Sequence, residues 1–561
     1  MNKKWESYKI DESQIQVIAK KHNVSELMAR ILLNRNIKDE DIEGFLHPQI
    51  ADLFDPFLFK GMDLAVDRIL KAINEKERIT IYGDYDVDGI TSCTVLIKFL
   101  TELGGIVDFY LPNRLEEGYG LNKEALDEIK NRETKLLITV DCGISGYDEV
   151  EYAKSLGMDV LITDHHECPE KIPDCVAVID AKRPDSTYPF NGLAGCGVSF
   201  KVTQAICKKL NLPDENYLKY LDIVALGTIA DIVPLVSENR IIVKYGLEKM
   251  KKTKNEGLKA LIISSSLKSI DSGAVSFGLA PRINACGRMG KADLALNMLL
   301  TDSVKEATDI ANMLQEMNRN RQEIERTIMQ EAIAQIENEK LNDNKIIVVG
   351  KENWHHGVIG IVSSKITERY YKPSILISFE DGEGKGSGRS IDGFDLHSAL
   401  TNCSNHLIKF GGHEMAIGLT LNRGEFEEFK KSICEYAKDK LPDESVPMIR
   451  YDAIISAKDI TKDFIKEIKL LEPFGENNPA PLFAYNNIIV DSIRTLTNDK
   501  HLKFNVKDEH RIFSAIAFNM GEHKNRIRMG DKANILLALE VNSYNGIEMI
   551  QLNVKDIKKS L

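Results

Sequence analysis

Between residues 60 and about 185 the chain alternates short apolar runs with amphipathic stretches. Strand-like runs fall at 79–83 (ITIYG), 106–112 (IVDFYLP), 135–140 (KLLITV), 159–163 (DVLIT) and 175–180 (CVAVID). The intervening segments 91–103, 122–131 and 146–156 carry their apolar residues at helical spacing. Near-continuous apolar strands separated by helices predict a parallel sheet covered on both faces. Ahead of this, residues 14–46 read as short helices, closed by FLHP (45–48) and DPF (55–57), forming a cap that leads onto the main domain. Residues 215–235 read as an apolar helix, and 303–340 as a long charged helix with one apolar stripe, a strut between lobes. A second strand–helix region follows position 344. Beyond LPDES (441–445), short alternating strands with turns such as YNG (544–546) predict a small closed barrel of the OB type. The expected division is 1–50, 51–300, 301–342, 343–445 and 446–561.

Composition narrows the class without choosing a function. At 43% hydrophobic and 28% charged residues the chain is an ordinary globular protein, and no apolar run approaches the roughly 18 residues of a membrane helix. The start, MNKKWESYKIDESQ, lacks the apolar core of a secretory signal. Nine cysteines, odd in number and without CxxC spacing, argue for a reducing cytoplasm rather than a disulfide framework. A formal net charge of −12 disfavours a nucleic-acid binder taken globally, but bound cations and local basic patches would reverse that.

The candidate chemistry lies where the strands end. In such sheets ligands bind beyond the carboxyl ends of the strands. The first strand runs into Asp84, Asp86 and Asp88, the third into Asp141, and the fourth into Asp164, His165 and His166. Three alternating aspartates would repel one another unless cations sit among them. A calcium-binding EF-hand counted from Asp84 needs Glu at its twelfth position, which is Val95, so that motif is excluded. Of two acids on the apolar helix, Asp222 and Asp231, the latter is the better ligand, lying just before Pro234. Carboxylates with imidazole and no thiolate point to Mn²⁺ or Mg²⁺ more than zinc. Their number suits two ions bridged by a shared aspartate, an arrangement used for displacement at phosphorus.

Other motifs read less sharply. The glycines at 382, 384, 386 and 388 do not form a phosphate loop; a flexible hairpin and a phosphate contact through Ser387 and Arg389 stay equally open. His413 lacks the HExxH completion of a zinc protease, since position 417 is Ile. Arg282 and Arg288, in PRINACGR, lie in a stretch read as non-helical, where surface salt bridging is as good an explanation as substrate contact.

Taken together, YGDYDVDG, VDCGIS, TDHHE, GTIADIVPL, PRINACGR, SGRS, GGHEMAIG and LEPFGENNP, in this order, resemble the DHH phosphoesterase superfamily, and within it the RecJ-type exonucleases. The terminal barrel carries the second step, since shorter relatives lack it. The resemblance implies an α/β fold with a parallel-sheet DHH domain, a connecting helix, a DHH-associated domain and an OB-like barrel. It implies that Asp86, Asp88, Asp141, His165 and Asp231 hold two divalent ions, Mn²⁺ preferred and Mg²⁺ accepted, with Asp141 bridging. Asp84 would lie near the first ion, His166 would be a ligand or transition-state donor, and Asp164 would orient the histidines. Arg114, Arg282, Arg288, Ser387, Arg389 and His413 would grip phosphates. Cys286 stands where a smaller residue is more usual. The activity implied is 5′→3′ hydrolysis of single-stranded DNA to mononucleotides in recombination and repair. Such an enzyme would be a cytoplasmic monomer, served by a helicase and a single-strand-binding protein. Two alternatives stand beside it: an oligoribonuclease or cyclic-dinucleotide phosphodiesterase of the same superfamily, and a non-catalytic single-strand-binding protein.

Overall fold

The computed structural model describes residues 3–114, 116–442, 445–508, 511–544 and 547–560. Most of the expected turn at 544–546, and positions 443 and 444 of the expected boundary, lie outside the described residues.

The apolar runs of the first lobe form one five-stranded parallel sheet. Its order is Ile106–Tyr110, Arg78–Gly83, Leu136–Val140, Asp159–Thr163 and Ala177–Ile179. The register is level at the carboxyl edge: Gly83 faces Val140, Val140 faces Thr163, and Thr163 faces Ile179. Asp84, Asp141, Asp164 and Asp180 therefore leave the sheet side by side. Both faces are covered, one by a large core that includes Ile81, Val95, Phe200 and Leu226, the other by a smaller one around Leu126, Leu137 and Val150. Burial on both sides is why these strands are apolar without alternation.

Two expectations about helices change. The 215–235 stretch is two helices, Glu215–Leu218 and Leu221–Ala230, and the second stops four residues short of Pro234. PRINACGR is not irregular: Ala280–Arg288 is an α-helix entered from a π-helical turn, Val275–Leu279. Pro281 directly follows the π-helical turn inside one helical run, Ser272–Arg288, and the wider turn takes up the break that a proline makes in the hydrogen-bond ladder. The strut is present as Val304–Asn338, 35 residues and roughly 50 Å long. Its Ile310 and Leu314 pack into the first lobe, and its Ile328 and Ile336 into the second.

The second lobe holds a mixed sheet ordered Lys409–His413, Ala416–Asn422, Glu383–Arg389, Ser374–Glu380 and Ile347–Glu352. The glycine-rich tract is thus a central strand, not a flexible hairpin. A Cβ on Gly384 would lie 2.7 Å from Phe379, on Gly386 2.9 Å from Leu419, and on Gly388 2.8 Å from Ile417. The glycines admit neighbouring side chains. Only the Asp381–Gly382 turn uses backbone freedom, with φ of 49° and 86°, as a two-residue hairpin turn requires.

The last sheet, ordered Ala453–Ile454, Phe483–Leu496, His501–Lys507, Ile512–Ala517, Ile547–Lys559 and Lys532–Tyr544, closes because Phe483–Leu496 also pairs with Lys532–Tyr544. The first strand-like run of this region, VPMIRYDAII (446–455), splits at Asp452: Met448–Tyr451 leaves the barrel to pair in parallel with Lys4–Ser7. The amino-terminal helices follow it. Met28, Ile31, Leu32 and Phe45 share one core with Ile465, Phe483 and Leu537 of the barrel, so the cap packs on the far end of the chain. An amphipathic stripe records that a helix has a partner, not which one. Among the described residues no helix is long and apolar enough to cross a membrane.

Candidate metal centre

The strand Arg78–Gly83 delivers Asp84 into the interior, 6% exposed. Asp86 caps the next helix: its Oδ1 accepts from the N–H groups of Asp88 (2.8 Å) and Gly89 (3.2 Å). Gly89 is required there, since a Cβ would stand 2.4 Å from the Asp84 carbonyl oxygen. Asp88 points back across the sheet edge, where its two oxygens accept from Gly195 N (2.6 Å) and Cys196 N (2.9 Å), the first amides of the helix Gly195–Lys209. The positive end of that helix thus holds an acid that would otherwise be repelled. Gly195 must lack a side chain, because a Cβ would come 2.8 Å from Asp141 Cβ.

Asp141 stands at the centre, 3% exposed and with a left-handed φ of 59°. Strain of this kind in a non-glycine residue concentrates at functional sites. His165 Nε2 lies 3.0 Å from Asp141 Oδ1, 3.6 Å from Asp231 Oδ2 and 3.7 Å from Asp88 Oδ2. Asp164 plays a different part. Its Oδ1 accepts from His165 N (2.8 Å) and His166 N (3.2 Å) and lies 2.7 Å from His166 Nδ1, while its Oδ2 accepts from Ile144 N (2.9 Å). A carboxylate so fully bonded orients the two histidines rather than serving as a ligand. Asp222 is excluded in the same way, for it is buried and its Oδ2 accepts from Thr253 Oγ1 at 2.5 Å.

Electrostatics mark the cluster as short of positive charge. Burial and then Asp86 push Asp84 up to about 8; burial and then Asp88 push Asp231 up to about 9. Burial and the neighbouring acids likewise raise Asp86 and Asp141. Burial lowers His165, keeping it the neutral imidazole that ligates metals. For His166 burial acts downward but the bond to Asp164 prevails and raises it. For Asp164 burial acts upward, but His166 and the Ile144 N–H together outweigh it and lower the carboxyl.

The donor set fits divalent cations. Asp84 Oδ1 is buried and has no hydrogen-bond partner. Ligand atoms of Asp84, Asp86 and Asp141 lie within 4.8 Å of one another, as do those of Asp88, His165 and Asp231, and those of Asp141, His165 and His166. The third group joins the other two through Asp141 and His165. Oxygen and imidazole donors without thiolate suit Mn²⁺ and Mg²⁺.

Beside the acids stands a group of arginines. Arg114 lies over the Tyr85 ring, 5.0 Å from its centroid. Arg288 donates to the Gly357 carbonyl at 2.9 Å, and burial plus the charges of Arg114, Arg321 and Arg389 push it down to about 10. Arg389 donates to Ser387 Oγ at 3.3 Å. His413 faces Ala416, which faces Arg389, so it shares Arg389's face of the sheet two strands away, about 10 Å. Arg282 is employed elsewhere: it donates to Gln315 Oε1 at 2.6 Å and to the Gly278 carbonyl, and the charge acting on it is that of Arg319.

Residues that the motifs did not flag also enter. Tyr119 Oη lies 3.2 Å from His166 Nδ1 and 3.3 Å from the Asp141 carbonyl it donates to. Arg321, on the strut, adds to the positive charge acting on Arg288 and donates to Glu325 and Asn318. Asp180, 2% exposed and pushed up to about 7 by burial, ends the fifth strand beside Asp164. Single residues in loops or on a long helix form no pattern a sequence could show; only Asp180, by its place after a strand, carried a signal.

Three family models match the chain: "DHH family, N-terminal domain" over residues 78–228, "DHHA1 domain" over 343–439 and "RecJ OB domain" over 451–556. The chain is 40% identical over 560 residues to the single-stranded-DNA-specific exonuclease RecJ of Bacillus subtilis, covering 99% of this chain and 70% of that protein. It is 33% identical over 526 residues to the protein of that name from Escherichia coli, covering 89% and 90%. Among solved structures, RecJ of Thermus thermophilus in complex with Mn²⁺ superimposes with a TM-score of 0.86 at 29% identity, covering all of this chain and 80% of that one. An exonuclease RecJ bound to manganese gives 0.62 at 34% identity, covering 70% and 97%.

Proposed function

Because the chain belongs to the RecJ family of single-stranded-DNA-specific exonucleases, we propose that it hydrolyses single-stranded DNA from the 5′ end to mononucleotides, using two divalent cations with Mn²⁺ preferred, in recombination and repair. The observation that carries this reading is the level sheet edge, where Asp84, Asp141 and His165 meet Asp88 and Asp231 from the helices Val87–Glu102 and Leu221–Ala230, beside three arginines.

Asp84, Asp86 and Asp141 would hold one cation, and Asp88, His165 and Asp231 the other, with Asp141 between them. When bound, the cations supply Lewis acidity at the phosphoryl group and acidify water near neutral pH. Asp164 keeps both imidazoles aimed at the site. His166, raised toward its protonated form, offers a donor to a phosphoryl oxygen as charge grows there. Arg114, Arg288 and Arg389 would bind the terminal phosphate, so that cleavage is counted from the 5′ end. On the barrel, His501, Lys503, Asn505 and Lys507 alternate with buried Leu502, Phe504 and Val506. Lys503 pairs with Ile516, and the His501 ring lies 5.4 Å from Phe518. Basic and aromatic side chains on one sheet face suit the backbone and bases of a single strand. The protein is read as a cytoplasmic monomer whose substrate is delivered by a helicase and a single-strand-binding protein.

The test is digestion of 5′- and 3′-labelled single and double strands with Mn²⁺, Mg²⁺ or chelator. Cation-dependent release of mononucleotides from the 5′ end of single strands is expected. Cleavage confined to oligonucleotides of a few residues would favour a short-oligonucleotide phosphodiesterase, and binding without cleavage a pure binder.

A further inference from the structure

The carboxyl edge of the catalytic sheet can be read strand by strand. Arg114 follows the outermost strand, Ile106–Tyr110; the aspartates follow the next; then come Asp141 and the histidines; Lys182 follows the last, Ala177–Ile179. Cations therefore flank the acidic centre on both sides. The arginines on one side suit the terminal phosphate, and Lys182 stands on the other.

Lys182 is placed by its surroundings. Asp180 Oδ1 accepts from Lys182 N at 2.7 Å, an Asx turn that fixes the chain as it leaves the strand. The Nζ lies 3.1 Å from Glu167 Oε1, and the Lys182 side chain is 26% exposed against 76% for Glu167. An ion pair with so exposed a carboxylate opens at little cost. Glu167 follows His166 directly in the chain, so its partner ammonium stands beside the histidine turn, at the edge of the sheet opposite Arg114. The strand that Lys182 follows lies two places from the strand ending at Asp141, about 10 Å across the sheet. That spacing sets Lys182 outside the two cation sites, where the neighbour of the phosphate being cleaved would lie.

We propose that Lys182 binds the phosphate following the scissile one, releasing Glu167 to do so, and that the single strand runs along the sheet edge from the Arg114 side to the Lys182 side. This rests on the exonuclease reading above and adds the track and polarity of the strand to it.

The test measures initial release of the first nucleotide from a 5′-phosphorylated oligonucleotide, using full-length protein and Mn²⁺. The second internucleotide phosphate is either natural or a neutral methylphosphonate. Lys182→Gln and the neutral linkage are each expected to raise KM about tenfold, and together about tenfold rather than a hundredfold, since both remove the same contact. kcat stays within about twofold, and the slope of log KM against log salt falls by about 0.7 for Lys182→Gln. Lys182→Arg keeps most of the affinity, and Glu167→Gln lowers KM by freeing the ammonium. Multiplying effects of variant and linkage, a loss in kcat rather than KM, or an unchanged KM in Lys182→Gln overturns the proposal. No release from the natural oligonucleotide by the unaltered protein would overturn the exonuclease reading instead.

Discussion

Asp141 carries two burdens, a left-handed backbone and a carboxylate facing Asp84, Asp86, Asp88 and Asp231. Asparagine tolerates the same backbone without the charge. Asp141→Asn is therefore expected to lose at least about a thousandfold in nucleotide release while the cation-free protein melts no lower than the unaltered one. Appreciable Mn²⁺-dependent nuclease activity in that variant would remove Asp141 from the centre. The same crowding sets a pH dependence. Asp84 and Asp231 are held at about 8 and about 9, against roughly 4 in an unfolded chain. Between those values the folded, cation-free protein binds more protons than the unfolded one, so its stability falls as pH rises. His166, also raised, adds to the slope. Scanning calorimetry in chelator is expected to show Tm dropping between pH 6.5 and 9, and Mg²⁺ raising Tm more at pH 9 than at pH 6.5. At this scale the acids and histidines were legible because they cluster at strand ends. Tyr119, Arg321 and Lys182 were not, since each stands alone in sequence and gains its meaning from elements far along the chain.

Elements were legible where periodicity was strong and misleading where a residue type has two uses. The five parallel strands and the strut follow from unbroken apolar runs and a long stripe. Glycine in Glu383–Arg389 suggests flexibility, yet it makes room for Phe379, Leu419 and Ile417 within a sheet. Proline in Ala280–Arg288 suggests irregularity, yet a helix runs through it behind a π-helical turn. Gly388→Ala tests the first of these. A methyl group 2.8 Å from Ile417 Cδ1 overpacks the core by about 1–3 kcal/mol. The variant is expected to melt lower and to show a higher KM, because Arg389 is the next residue on that strand. Unaltered stability would return the tract to the flexible-hairpin reading.

Across the whole molecule the two ends of the chain make one body. Trp5 Nε1 donates to Asp556 at 2.7 Å, Asn34 Nδ2 to Asp452 at 3.0 Å, and the helices Ser13–His22 and Glu26–Asn34 share one hydrophobic core with the barrel. Arg240, from the catalytic lobe, donates to the carbonyls of Phe45 (2.7 Å), Leu471 (2.8 Å) and Leu470 (2.7 Å), joining the cap, the end of the helix Lys462–Leu470 and the catalytic lobe at one guanidinium. Residues 446–561 expressed alone are expected to lack fixed packing and to bind ANS, having lost Met28, Ile31 and Leu32 from their core. This partnership had no signature in sequence, because helix stripes do not name what they pack against. The proposed activity requires two cations at the sheet edge. Anomalous difference density from crystals soaked in Mn²⁺ is expected to show two peaks, one among Asp84, Asp86 and Asp141, the other among Asp88, His165 and Asp231. A single peak, or manganese bound only away from these residues, contradicts a two-cation centre.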